Sequence, residues 1–395
     1  MSLNDTPYSN RLHILLIGRR NCGKSSMINA LTGQDIALVS DVAGTTTDPV
    51  MKSMEIHGIG PCLFIDTPGF DDEGTLGIQR VKRTERALER ADVALLFCSG
   101  DMQQELQWME RLRANKIPVI LLLNKIDILS DVDKAVIDIQ KLCGIKPLVV
   151  SAKQKKGMEE VRQAIIEKMP EDFDAQMITA NLVGEGDLVL LVMPQDIQAP
   201  KGRLILPQVQ TMRELLDKKC SVMCCTTEKL DSTLKTLSST PRLIITDSQV
   251  FKTVYERKPV ESKLTSFSVL FAAYKGDIDY FVKSASTIGQ LTSGSRILIA
   301  EACTHAPLSE DIGRIKIPRL LAEKIGDGLC IDITGGSDFP KDLSKYDLVI
   351  HCGACMFNRK FMLTRLEQAR RQHVPMTNYG IAIAWLNGIL DKIEL

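Results

Sequence analysis

The chain has 395 residues, with 49 Lys and Arg against 49 Asp and Glu, for a formal net charge of zero. That length exceeds one ordinary core and predicts two or three domains, while the balanced charge excludes the basic field that draws nucleic acid or an anionic membrane surface. No apolar run approaches the ~20 residues that span a bilayer, and the N-terminus, with Asp5 and no basic region, does not read as a signal peptide, so the expectation is a cytosolic protein that binds neither membrane nor nucleic acid.

In chain order, residues 12–17 read as a buried strand that runs into Gly18-Arg19-Arg20-Asn21-Cys22-Gly23-Lys24-Ser25-Ser26. G-x-x-x-x-G-K-S between strand and helix is a phosphate-binding loop. Gly18 and Gly23 let the backbone curl so that N–H groups face phosphate oxygens, Lys24 supplies a cation, and the Ser25 hydroxyl ligates Mg²⁺. Gly44-Thr45-Thr46-Thr47-Asp48 follows in a polar loop, where Thr46 is the choice for closing on Mg²⁺ and the γ-phosphate, beside Thr45. Residues 63–66 read as a strand ending in Asp66-Thr67-Pro68-Gly69, D-x-x-G, in which Asp66 serves the metal and the Gly69 N–H senses the γ-phosphate. Asn124-Lys125-Ile126-Asp127, N-K-x-D, places a carboxylate that accepts from guanine N1–H and its amine, which adenine cannot offer. Ser151-Ala152-Lys153 completes the base pocket. Five such elements in order predict a GTP- and Mg²⁺-binding domain. A helix over 157–168 closes it, and 170–174 looks like a boundary.

Strands at 188–192, 221–225, 243–246 and 266–271 then alternate with helices at 207–217, 228–237 and 248–255, which predicts a small parallel sheet. Cys220, Cys224 and Cys225 are expected to pack rather than ligate, because neighbouring strand positions face opposite sides. The last third predicts helices at 277–290, 317–325, 359–372 and 381–392 and strands at 296–300, 329–333 and 347–350. Two of the five histidines and three of the eleven cysteines cluster here, in Cys303-Thr304-His305 and His351-Cys352-Gly353-Ala354-Cys355. A disulfide framework is disfavoured in a reducing compartment, which leaves metal binding or burial. If strands 296–300 and 347–350 share one parallel sheet, their carboxyl ends lie side by side where such sheets place ligands. The helix start at 359 is expected to favour thiolate at Cys352 and Cys355. Spacing alone leaves two metal readings and a third without metal: a tetrahedral Cys₃His zinc site, a 4Fe–4S cluster on three thiolates, or uncoordinated thiols.

The nucleotide motifs resemble those of the TrmE–Era GTPases. That resemblance implies slow intrinsic hydrolysis, since Phe70 stands where a water-orienting glutamine could, and K⁺ activation through Asn21, which otherwise reads as an ordinary loop residue. The whole chain resembles the HydF family of FeFe-hydrogenase maturation GTPases, through the two cysteine motifs and through Ala199-Pro200-Lys201-Gly202-Arg203-Leu204-Ile205-Leu206-Pro207, Leu264-Thr265-Ser266-Phe267, Glu301-Ala302 and Asp311-Ile312-Gly313-Arg314. This implies an α/β architecture, with a P-loop GTPase domain over 1–172 followed by two smaller parallel-sheet domains, a dimerisation domain over 180–262 and a cluster-binding domain over 268–395. It also implies a 4Fe–4S cluster on Cys303, Cys352 and Cys355, with His305 or His351 as candidates for a fourth ligand. The activity implied is that of a homodimeric scaffold that accepts a di-iron precursor from radical maturation enzymes and delivers it to apo FeFe-hydrogenase. Competing readings are a ribosome- or RNA-associated GTPase with a structural zinc module and a redox-sensing GTPase.

Overall fold

β1 (Leu12–Ile17) is buried along its whole length, as expected of a central strand covered on both faces. The computed structural model describes residues 6–32, 50–56, 58–70, 75–98, 102–171, 173, 177–194, 204–302, 311–336 and 338–394, and these fall into two compact units, Met1–Ala175 and Gln176–Leu395. In the first unit, β1 is followed by α1 (Lys24–Thr32), β2 (Val50–Ile56), β3 (Gly60–Asp66), α2 (Thr75–Leu88), β4 (Val93–Cys98), α3 (Gln103–Ala114), β5 (Val119–Leu123), α4 (Val132–Cys143), β6 (Leu148–Val149) and α5 (Met158–Lys168). The sheet order is β2-β3-β1-β4-β5-β6. Only β2 runs antiparallel, on the β3 edge. The carboxyl ends of β1, β3 and β5 therefore open on one rim, where the nucleotide motifs begin.

The second unit holds β7 (Leu188–Val192), α6 (Leu206–Asp217), β8 (Ser221–Cys225), α7 (Leu230–Thr236), β9 (Leu243–Thr246), α8 (Phe251–Arg257), β10 (Lys263–Ser266) and α9 (Phe267–Lys275). It continues with α10 (Ile278–Ala285), β11 (Arg296–Glu301), a π-helical turn at Ile312–Lys316, α11 (Ile317–Ile325), β12 (Cys330–Gly335), β13 (Leu348–His351), α12 (Arg359–Arg371), β14 (Met376–Asn378) and α13 (Tyr379–Leu386). Two four-stranded sheets result, β10-β9-β7-β8 and β12-β11-β13-β14, and every pairing in both is parallel. The segments expected as 180–262 and 268–395 share one apolar core, in which Leu190 and Ile244 of the first sheet join Leu298, Val349 and Met376 of the second.

Residues 266–271, expected as a strand, are instead the last residue of β10 and the start of α9. The Ser266 hydroxyl accepts from the Val269 N–H at 3.2 Å and starts the helix. Phe267, Val269, Leu270, Phe271 and Ala272 are all buried, and a helix apolar on every side has no 3.6-residue period to tell it from a buried strand.

Candidate functional site

In the first unit the phosphate loop leaves β1 through Gly18, where an added Cβ would meet the Cys22 Sγ at 2.6 Å and the Phe97 Cβ at 2.8 Å. Gly23 adopts φ +97°, a conformation costly for any other residue. Lys24 is buried, and its Nζ donates to the carbonyls of Gly18 and Arg19, both at 2.8 Å. Its charge thus sits inside the loop that would cradle a phosphate. The Ser25 hydroxyl donates to Asp66 Oδ2 at 2.6 Å, so the two side chains expected at Mg²⁺ already meet, one from the start of α1 and one from the end of β3. The Thr67 hydroxyl donates to the Leu16 carbonyl at 2.6 Å and fixes the D-x-x-G turn against β1. Gly69 is buried, while Ser26 is half-buried in the first turn of α1 and the exposed Asn21 takes φ 55°.

Asn124 joins the phosphate loop to the base loop. Its Nδ2 donates to the Cys22 carbonyl at 2.9 Å, and its Oδ1 accepts from the Ala152 N–H at 3.0 Å. Asp127 Oδ1 accepts from the Ser151 hydroxyl at 2.6 Å, and that bond holds the Asp127 carboxyl below the usual carboxylate range. Lys125 and Lys153 are exposed at the same rim. Thr45 and Thr46 lie outside the described residues. Sequence reasoning missed Arg19, whose guanidinium makes a two-point bond at 2.9 and 3.1 Å to Glu105, a fully buried residue of α3. A partner 86 residues away leaves no local signature. Phe70 packs on Trp108, with ring centroids 6.0 Å apart.

In the second unit β11 and β13 are parallel neighbours, with Ala300 opposite His351, as the cysteine motifs required. The Cys352 N–H donates to the Ala300 carbonyl at 2.8 Å, and its Sγ accepts from the Ala302 N–H at 3.1 Å. One strand end therefore presents Cys352 to the residue that directly precedes Cys303. Cys303 and His305 lie outside the described residues, and among the described residues no group of three or more metal-binding side chains converges. Cys355 is half-buried.

One expectation changes here: burial pushes the Cys352 thiol up rather than down. The helix α12 begins at Arg359 as expected, with the Asn358 side chain accepting from the Phe361 N–H. His351 is fully buried, with Nδ1 2.6 Å from the Cys352 carbonyl and Nε2 2.9 Å from an Arg365 guanidinium nitrogen. Burial, helped by that guanidinium, pushes its pKa down to about 3, so the imidazole is neutral, with Nδ1 donating and Nε2 accepting.

The surroundings suit an anionic group held on thiolates. Lys275 and Arg365 are buried cations beside the cysteine loop. Lys275 Nζ donates to the carbonyls of Ala354, Cys355 and Phe357 at 3.0, 2.9 and 2.7 Å. Arg365 also donates to the Gly336 carbonyl at 2.7 Å and lies over the Phe361 and Phe339 rings. Nearby, the Tyr379 hydroxyl is buried and has no hydrogen-bond partner among the described residues. A side chain at Gly313 would strike that hydroxyl and would come within 2.9 Å of Glu301 Oε1. Glu301 is paired at 3.0 Å with Arg314. An orphaned hydroxyl and two buried cations beside the cysteine loop fit a group that accepts hydrogen bonds and carries negative charge.

Sequence models of three families match the chain: "Hydrogen maturase F dimerization domain" over residues 178–276, "Hydrogen maturase F tetramerization domain" over 279–394, and "50S ribosome-binding GTPase" over 13–125. The two hydrogen maturase matches together cover more than half of the chain. GTPase Der of Wolinella succinogenes is 39% identical over 184 residues, which are 43% of this chain and 38% of that protein. The tRNA modification GTPase MnmE of Ruthia magnifica subsp. Calyptogena magnifica is 34% identical over 156 residues, 39% of this chain and 34% of its own length. The chain thus spans well under half the length of these relatives. Among solved structures, the FeoB G-domain from Methanococcus jannaschii is 26% identical with a TM-score of 0.32, covering 40% of this chain and 97% of that one.

Proposed function

Because this chain belongs to the hydrogen maturase F family, a family of hydrogenase-maturation GTPases, we propose that it is a GTP-hydrolysing carrier that holds a 4Fe–4S cluster and passes a di-iron precursor to apo FeFe-hydrogenase. The observation that carries the reading is the parallel pairing of β11 with β13, which sets the Cys352 sulfur 3.1 Å from the amide just before Cys303. Cys303, Cys352 and Cys355 are the proposed ligands. His305 is the better candidate for the fourth position, since both His351 nitrogens are already engaged. When bound, a cluster on three thiolates supplies one iron with an exchangeable coordination place. The protein's own part is to hold those sulfurs, exclude water with the apolar core, and stabilise negative charge with Lys275, Arg365 and the Tyr379 hydroxyl.

At the other site Gly18, Gly23 and Lys24 cradle the phosphates; Ser25 and Asp66, with Thr46, hold Mg²⁺; and Asn124, Asp127 and Ser151 select guanine. Asn21 is the proposed K⁺ ligand. Hydrolysis drives exchange of partner proteins through the loops carrying Thr46 and Gly69 rather than the metal chemistry. The assembly is a homo-oligomer with a dimer as its basic unit, the partners being radical maturation enzymes and the apo-hydrogenase.

Anaerobic purification tests the core of this reading. A brown protein containing iron and sulfide, which after loading restores hydrogen evolution to apo-hydrogenase, is expected. A colourless protein with stoichiometric zinc would instead favour a structural Cys₃His module. Equal partner release rates in the GTP and GDP forms would remove the exchange role of hydrolysis.

A further inference from the structure

Lys275 is the last residue of α9, inside the segment matched by the dimerisation model, while the cysteine loop lies in the segment matched by the tetramerisation model. Only 1% of the lysine is exposed. Its ammonium reaches across to three carbonyls of one short loop, at Ala354, Cys355 and Phe357, with the Phe271 ring one helical turn earlier at 5.5 Å. Burying an ammonium is costly, and a neutral amide could bond two such carbonyls without that cost. A lysine here makes physical sense if the charge itself is used. The loop it holds spans from Ala354 to Phe357 and includes Cys355, with Cys352 two residues before it.

We propose that Lys275 is a positioning residue for the metal centre: it fixes Cys355 relative to Cys352 and keeps a positive charge on the carbonyls of Ala354, Cys355 and Phe357, within the loop that carries Cys355, which raises the reduction potential of the cluster the two cysteines hold. The second half rests on the carrier reading above; the hold on the loop does not. A fixed positive charge stabilises the more negative, reduced state of a nearby centre, so neutralising it makes reduction harder. The same lysine ties the cysteine loop to α9, so any shift of that helix moves Cys355.

The test compares full-length wild type with Lys275→Met and Lys275→Arg, using GTP turnover as a check that the first unit is intact. In metal-free protein, iodoacetamide labelling of Cys355 is followed by peptide mass spectrometry. The Met variant is expected to label at least about threefold faster, and the Arg variant at close to the wild-type rate. In reconstituted protein, an EPR-monitored titration of the cluster is expected to show the Met variant about tenfold less reduced at the wild-type midpoint, ~59 mV for one electron, with the Arg variant near wild type. Faster labelling with an unchanged potential makes Lys275 a plain structural staple and overturns the proposal, as does a Met variant identical to wild type in both arms. Should the Met variant lose its cooperative melt, Lys275→Gln replaces it, and a wild-type potential there overturns the proposal equally. If wild-type protein binds no iron, the carrier reading fails, and the labelling arm alone decides whether Lys275 holds the loop.

Discussion

The nucleotide site and the cysteine loop both place buried cations against backbone carbonyls, but they draw those cations from different distances along the chain. Lys24 bonds the carbonyls of Gly18 and Arg19, within six residues of itself. Lys275 and Arg365 reach carbonyls 79 and 29 residues away, at Ala354 and Gly336. A loop that curls around its own lysine can be read from a short motif, because the glycines and the cation must be contiguous. A loop held from outside needs tertiary packing to bring its supports in. The difference predicts separable failures: damage to one site leaves the other standing.

The largest effect is expected from the two motif side chains themselves. Lys24→Ala should weaken GTP binding at least about 100-fold, the loss of ~3 kcal/mol from a charge-assisted bond, while iron content stays at the wild-type level. Cys355→Ser should reverse the pattern, with cluster content falling to that of metal-free protein and GTP binding unchanged. Isothermal titration and iron analysis on both variants check this. Loss of both functions from either change would break the comparison and point to general misfolding.

Arg365→Met comes next. It strips the donor from the buried His351 Nε2 and the Gly336 carbonyl, and leaving such acceptors unpaired should destabilise the second unit by about 3 kcal/mol. Denaturant unfolding followed from Trp385 against Trp108, which lie in different units, would resolve which transition moves. A shift in the Trp108 transition alone would contradict the assignment. Asn124→Ala is milder. It removes bonds to the Cys22 carbonyl and the Ala152 N–H, for an expected loss of about 2 kcal/mol in GTP binding, roughly 30-fold, with the second unit's melting unchanged.

Legibility in the sequence follows the same division. Residues 18–26, 66–69, 124–127 and 151–153 could be assigned roles because each is a contiguous motif at a strand end. The parallel pairing of the strands behind Cys303 and Cys352 was also readable, since two apolar runs ended in ligand-type residues. Lys275, Arg365, Glu105 and Tyr379 were not readable. Lysine, arginine and glutamate on helices are ordinarily solvated, and nothing local says that these three are buried. The α9 error has the same root: its burial on all sides is a tertiary fact that erased the helical period. The dipole argument for Cys352 left out desolvation, which is the larger influence on the free thiol and pushes it up.

The smallest predicted effect concerns pH. The Ser151 hydroxyl holds the Asp127 carboxyl below the usual carboxylate range. Asp127 must be ionised to accept from guanine, so binding is full above its pKa and is lost as pH falls through it. A depressed pKa therefore extends guanine binding toward lower pH. Ser151→Ala removes the first cause of the depression, so the acid limb of GTP affinity, normalised to the variant's own value at pH 8, should move upward in pH. The group is solvent-facing, which keeps the shift small, and the cysteine loop supplies the contrast, since cluster content should follow the wild-type pH profile in this variant. An acid limb at the wild-type position would mean that Lys125 and Lys153, rather than Ser151, set the ionisation of Asp127.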